Sequence, residues 1–148
     1  MSTPYSEIFN LFLFNIQDYN IDNMYETSTD DFETYALNFL LKAIPDFNNC
    51  RQDLSNRNDT TRVFNVTLTL SEKNILANYM TLHWLIKEIN NILEMRNFLV
   101  SGDYKAFSSA NNLKEKREWY NYLASEVSRQ KTRYDYDNND WDTFLDGS

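Results

Sequence analysis

Residues whose side chains could catalyse a reaction or bind a metal are few, and their spacing matches no known arrangement. The chain has one histidine, His83, and one cysteine, Cys50. Neither a second histidine nor a suitably placed acid accompanies His83, so the sequence indicates neither a catalytic triad nor a zinc site. Cys50 has no basic or histidine neighbour in the sequence to activate its thiol, and we expect it in the core. With two glycines in the whole chain, there is no glycine-rich loop for binding phosphate.

Acidic residues occur in pairs, but their positions favour solvation and helix capping over acid–base chemistry. Asp30 and Asp31 lie where a loop leads into a helix. Glu115 and Glu118 lie on a charged helix face among lysines and arginines. We therefore expect no enzymatic activity and no cofactor.

The C-terminal acids resemble part of a calcium-binding loop. Four residues fall at loop positions 1, 3, 5 and 12 of a helix-loop-helix calcium site: Asp135, Asp137, Asn139 and Asp146. Asp140, however, occupies the sixth position, where the motif needs glycine, and Asp146 is shorter than the glutamate that the motif uses. We expect no metal site here.

Charge is unevenly distributed along the chain. The net charge is -8 over 148 residues, with eight acids against Lys42 in residues 1–50 and six bases against three acids in residues 114–133. An acidic chain disfavours general nucleic-acid binding, because contact with phosphates depends on clustered lysine and arginine. The longest apolar run, residues 11–14, is too short to cross a membrane. A single cysteine excludes an intramolecular disulfide, so we expect a protein of a reducing cytoplasm. From the short apolar runs we expect it to be soluble, with no signal peptide and no membrane association.

Hydrophobic spacing predicts a mainly α-helical fold, a bundle of about four helices. Apolar residues recur at helical spacing in four segments, about 4–17, 30–45, 72–98 and 110–131. Thr3, Asp30 and Ser71 are the predicted start residues of the first three helices, and Pro45 is expected to end or kink the second. Leu11, Leu13 and Phe14 widen the apolar face of the first helix, a surface that could meet a neighbouring subunit.

Residues 63–70 form the one good strand candidate, alone or as part of a hairpin. The segment reads VFNVTLTL, with apolar residues alternating and β-branched residues enriched. A single strand leaves unpaired backbone groups and must pair within its own chain or with another copy. Because the sequence shows no second strong strand, it favours pairing between subunits or with the C-terminal tail.

The last fifteen residues predict an extended, acidic and aromatic tail. We therefore divide the chain into a helical domain, 1–133, and a tail, 134–148. Ordering the tail backbone costs roughly 15 to 30 kcal/mol, while burying its five large apolar side chains returns about 8 to 15 kcal/mol. A partner surface or backbone pairing must supply the difference, although a simple disordered, solubilising tail remains the alternative. The predicted partner-binding residues are Phe64, Val66, Leu68, Tyr134, Tyr136, Trp141, Phe144 and Leu145.

Residues spread over most of the segment 5–136 carry a resemblance to a known family. They are Tyr5-x-Glu7-Ile8-Phe9, Ala43-Ile44 with Phe47 and Cys50, Leu70, Ile75-Leu76-Ala77, Met80, Trp84-Leu85, Asp103-Tyr104-Lys105, Phe107-Ser108, Ala110-Asn111, Leu113 and Tyr134-x-Tyr136. This pattern resembles small virion proteins of tailed bacteriophages, of the head-to-tail connector or neck adaptor type. Its motifs are packing motifs, so no catalytic residues carry over.

The resemblance implies a function and a set of partners. It implies a structural subunit of the phage neck, assembled in the host cytoplasm and repeated as a ring, expected to be a dodecamer, beneath the portal. The expected partners are further copies, the portal protein and other neck or tail proteins, while DNA passes through the channel without sequence-specific binding. The alternatives are a phage tail or baseplate component and, in another class, a small cytoplasmic regulator that binds a partner helix.

Overall fold

The protein is mainly helical, as the sequence predicts. The computed structural model describes residues 2–16, 29–98 and 103–138. Four helices lie within these ranges: α1 (Tyr5–Asn15), α2 (Thr29–Asp46), α3 (Leu70–Phe98) and α4 (Asp103–Asn138). Three short strands accompany them: β1 (Thr3–Pro4), β2 (Arg57–Asn58) and β3 (Val63–Phe64). No helix in these described ranges is long and apolar enough to span a membrane.

Helix α3 is central and packs against the other three helices. It is covered on several sides because apolar residues extend beyond one stripe, and Ile75, Leu76, Met80 and Trp84 are all fully or almost fully buried. Each such large side chain contributes about 1.5 to 3 kcal/mol through removal from water. Helix α1 adds four buried residues spaced one turn apart or less: Tyr5, Ile8, Phe9 and Phe12. The core therefore lies between α3 and the two helices that precede it.

The β-structure predicted near 63–70, a strand or hairpin, is confirmed, but the strand itself covers only Val63–Phe64. Strand β3 has two residues and two antiparallel partners in the same chain, giving the order β1-β3-β2 with Phe64 opposite both Thr3 and Arg57. Beyond β3, the Thr3 side chain bonds to the backbone in place of a paired strand. Its hydroxyl donates to the Val66 carbonyl at 2.9 Å and accepts from the Leu68 amide at 2.9 Å. The backbone groups of β3, the Val66 carbonyl and the Leu68 amide therefore find their partners within the chain. Thr3, predicted to cap α1, belongs to β1 instead.

The turn between β2 and β3 is tied to α2 through Arg62. This residue has φ 60°, the left-handed region that non-glycine residues rarely occupy. Its guanidinium contacts Asp30 at 3.1 Å and Glu33 at 2.8 Å, both in the first turns of α2. The ion pairs hold the backbone in this conformation and fix the turn against the helix. Asp30 therefore anchors the turn, and α2 ends one residue after Pro45, as predicted.

The start of α3 also differs from the prediction. Ser71 lies inside the helix, which begins at Leu70. Thr69 caps it: the Thr69 hydroxyl accepts from the Glu72 amide at 3.2 Å, and the Glu72 carboxylate accepts from the Thr69 amide at 2.8 Å. This reciprocal pair is a capping box, which satisfies two backbone donors at the helix end.

Helix α4 is longer at both ends than the predicted 110–131. It runs from Asp103 to Asn138, so Tyr134 and Tyr136 are helical rather than part of an extended tail. The reason is packing: Val127 and Tyr134 are buried, and Leu123 packs against the core, so an apolar stripe continues past the predicted end. The remainder of the predicted tail, 139–148, lies outside the described residues.

Candidate interaction surface at the end of the helix bundle

A buried polar contact joins the C-terminal part of α4 to the start of α3. The Tyr134 hydroxyl donates to Glu72 Oε2 at 2.6 Å and accepts from the Arg51 amide at 2.8 Å. Tyr134 is 5% exposed and Glu72 is 2% exposed. Burial raises the pKa of Tyr134 above its usual value, and the hydrogen bond to the Glu72 carboxylate raises it further. The tyrosine therefore remains a neutral donor to a buried carboxylate.

Cys50 belongs to the same contact and is not placed for nucleophilic chemistry. Its Sγ lies 3.6 Å from Glu72 Oε2, and the residue packs against the core. Burial, with a smaller contribution from the nearby Glu72, raises the pKa of the thiol to about 11. The thiol is protonated at neutral pH, which agrees with the prediction of a packed cysteine.

The segment after α2 is fastened to α4 beside this contact. The side-chain ammonium of Lys131 donates to the Asp46 carbonyl at 3.2 Å, and the Asn49 amide donates to the Lys131 carbonyl at 3.4 Å. The Phe47 ring meets the Tyr134 ring edge-on, with centroids 5.1 Å apart. One end of the bundle is therefore built from three segments that hold one another in place: the end of α2, the start of α3 and the end of α4.

The outer surface of this end is grooved and partly apolar. One groove of about 650 Å³ is lined by Leu70, Arg133 and Asp137, among others. A second, of about 770 Å³, shares Arg133 and Asp137 and is lined also by Tyr136. Leu70 is 64% exposed and Tyr136 is 63% exposed, so two large apolar side chains flank the last turns of α4. We call Leu70, Arg133, Tyr136 and Asp137 the bundle-end surface.

His83 has an acidic partner that the sequence did not reveal. Its Nε2 lies 2.5 Å from Asp46 Oδ2, which links α3 to the last residue of α2. The pair connects α2 to α3. Within the described ranges, no group of three or more histidine, cysteine, aspartate or glutamate residues could hold a metal ion. Thirty-seven positions separate the two residues, so no local spacing could have indicated the pair.

The predicted partner-binding residues divide into three groups. Phe64 and Leu68 are buried in the core, Val66 packs against that core, and Tyr134 is buried by Phe47 and Glu72. Pairing of β3 and packing of α4 use the buried residues inside the chain, so these side chains are not at its surface. Tyr136 is exposed, as a partner-binding residue must be. Trp141, Phe144 and Leu145 lie outside the described residues.

Two residues that matter at this surface were missed by sequence reasoning. Leu70 was included in the strand, although it opens α3 and is exposed. Glu72 was predicted only as the first residue of a helix, although its carboxylate accepts a hydrogen bond from the Tyr134 hydroxyl. The Thr69-x-x-Glu72 spacing is a capping-box signal, and it could have placed both residues correctly.

Comparisons with protein-family models, with curated proteins and with solved structures found no match for this chain. Its function is therefore inferred from the packing and the surface described above.

Proposed function

We propose that the chain is a structural subunit of a phage neck, which forms an adaptor ring with further copies beneath the portal, around the channel for DNA. The observation that carries the proposal is the bundle-end surface. Leu70 and Tyr136 are exposed to solvent on a frame fixed by the buried contact between Tyr134 and Glu72. A backbone that is fixed before binding lowers the ordering cost of an interface, and exposed large apolar side chains are its usual anchors.

The position of the resemblance residues supports this proposal. Ile75, Leu76, Met80 and Trp84 are core residues of α3. Residues far apart in the sequence meet at one place: Tyr134 packs on Phe47, next to Cys50. The residues that carry the resemblance to neck adaptors therefore include much of a helical scaffold, and Leu70 and Tyr136 are two of them that are exposed.

Binding to the portal protein encoded in the same genome tests the proposal. The full chain and that portal protein are co-expressed, purified and imaged by electron cryomicroscopy. We expect a ring of this chain on the lower face of the portal. We expect Leu70→Ser combined with Tyr136→Ser to abolish the ring while the isolated chain stays folded, as circular dichroism will show.

Tyr122→Ser is the matched control. Tyr122 is 68% exposed and lies on the same helix, roughly 21 Å from Tyr136 along its axis at 1.5 Å per residue. We expect this variant to bind the portal like the wild type. A chain that does not bind the portal, or that is located at the tail or baseplate of the particle, would refute the neck assignment. Equal loss of binding in Tyr122→Ser would refute the bundle-end surface.

A further inference from the structure

A second groove lies between α2 and α3, at a distance from the bundle-end surface. It has a volume of about 510 Å³. Its aromatic side consists of Tyr35 and Phe39, which form an edge-to-face pair with centroids 5.1 Å apart. The ammonium of Lys87 lies over both rings, 4.9 Å from the centroid of Tyr35 and 5.9 Å from that of Phe39. The groove thus presents an aromatic floor next to a fixed positive charge.

The charge of this groove is opposite to that of the chain. Lys42 and Lys87 line it together with His83, and no aspartate or glutamate is among its lining residues. Two acids lie nearby. Asp46 is hydrogen-bonded to His83. The pKa of the Tyr35 hydroxyl is raised to about 12, mainly by burial and also by the negative charge of Glu88. In a chain of net charge -8, a groove lined by cations and aromatic rings fits an acidic, aromatic ligand.

The chain itself contains a segment of that chemistry. Residues 139–148 carry three aspartates and three large apolar residues, Trp141, Phe144 and Leu145, and no lysine or arginine follows Arg133. Asp140 and Asp142 flank Trp141, and Asp146 follows Leu145, so carboxylates can meet Lys42 and Lys87 while neighbouring apolar side chains cover the aromatic floor. We propose that this groove binds residues 139–148 of a second copy of the chain. The proposal rests on the proposed function, in which copies lie side by side.

Geometry favours a second copy over the same chain. Helices α3 and α4 are antiparallel, since Tyr134 meets Glu72 and Gln130 meets Asn78. Asn138 therefore lies beyond Glu72, and the level of Lys87 is roughly 28 Å away along the bundle at 1.5 Å per residue. Trp141 follows Asn138 by three residues, which reach about 10 Å when fully extended. Trp141 therefore cannot reach the level of Lys87 in its own chain, whereas it can reach that of a neighbouring copy.

Photocrosslinking between isotopically distinct copies tests this contact. The full chain is produced with the photoreactive residue p-benzoylphenylalanine in place of Trp141, and it is mixed at high concentration with a heavy-isotope wild-type copy. After irradiation, mass spectrometry identifies the joined peptides. We expect light–heavy pairs in which the heavy peptide comes from residues 35–42 or 83–91.

Charge reversal in the heavy copy shows whether the groove recognises the acids. We expect Lys42→Glu with Lys87→Glu to lower the crosslink yield about tenfold, because two attractions become repulsions. Asp140→Lys with Asp142→Lys in the light copy should restore it. Lys114→Glu with Arg117→Glu, an equal charge change on exposed positions of α4, should leave the yield unchanged. Lys42→Glu alone, at an exposed position, provides a second variant if loss of the Lys87 ring contacts impairs folding.

Three results overturn the proposal: crosslinks in other regions, crosslinks within one copy only, or a yield that does not respond to charge reversal in the groove. The proposal is also overturned if short duplex DNA, rather than residues 139–148 of a second copy, binds the groove and protects it from crosslinking. Failure of this contact is distinguishable from failure of the proposed function. A ring on the portal that lacks the crosslink refutes the groove alone, whereas the crosslink in a chain that does not bind the portal refutes the neck assignment alone.

Discussion

Replacing Tyr134 with phenylalanine removes one hydroxyl from the bundle end and leaves the ring in place. The edge-on contact with Phe47 is retained, so the change isolates two hydrogen bonds, to Glu72 at 2.6 Å and from the Arg51 amide at 2.8 Å. A hydrogen bond to a charged group contributes about 1.5 to 3 kcal/mol and a neutral one about 0.5 to 1.5 kcal/mol. Since Glu72 is 2% exposed, water cannot readily replace the lost donor. We expect Tyr134→Phe to lower the free energy of unfolding by about 2 to 4 kcal/mol.

Urea denaturation followed by circular dichroism measures this loss. Tyr122→Phe is the matched control, since Tyr122 is 68% exposed on the same helix, and we expect its stability to stay within about 0.5 kcal/mol of the wild type. A double-mutant cycle with Glu72→Gln should give a coupling energy of about 1 to 3 kcal/mol between the two residues. A loss below about 1 kcal/mol in Tyr134→Phe, or no coupling to Glu72, would refute the view that this contact holds the bundle end.

Three further outcomes follow from the structure. Thr69→Ala should lower the free energy of unfolding by about 1 kcal/mol, whereas Ser71→Ala should leave it nearly unchanged; equal effects in urea denaturation would contradict the assignment of the cap. Phe64→Ala should cost about 3 to 5 kcal/mol in the isolated chain, and a variant of wild-type stability with impaired assembly would show instead that Phe64 binds a partner. The pKa values of Tyr5 and Tyr134 are raised by burial and by bonds to Asp59 and Glu72, so their stabilising effect is complete below about pH 10. It should then fall by about 1.4 kcal/mol per pH unit for each tyrosine as pH rises toward the folded-state pKa; urea denaturation at several alkaline pH values would contradict this if stability stayed constant.

Helices were predictable from the sequence where apolar residues repeat over many turns. The central helix α3 was predicted within two residues at its start, because its stripe from Ile75 onward has a strict helical period. The second helix was predicted equally well, since Pro45 marks its end. Local signals of this kind depend on neighbours in the chain, and a single sequence contains them.

The sheet and the bundle-end contact were not predictable in the same way. Strand β1 has two residues, Thr3 and Pro4, and its pairing with β3 joins positions about sixty residues apart. Alternation over 63–70 predicted a strand or hairpin along the whole segment, although Phe64 and Leu68 are buried for different reasons: one by strand pairing, the other in the approach to α3. Tyr134 was assigned to a tail because the acidic residues around it suggested solvent, whereas its partners Glu72 and Phe47 are distant in sequence.

The last turns of α4 explain how a small helical chain can both fold and present a binding surface. Tyr134 and Tyr136 are two residues apart, which turns their side chains by about 200° around the helix axis. One is therefore buried against Glu72 while the other is exposed. Because the buried tyrosine fixes the rotation of the helix, the exposed one is held in a defined direction before any partner arrives. Fixing the backbone in advance lowers the ordering cost that a partner would otherwise have to offset. The buried contact and the exposed surface are thus two faces of one helical turn, and loosening the first should weaken the second.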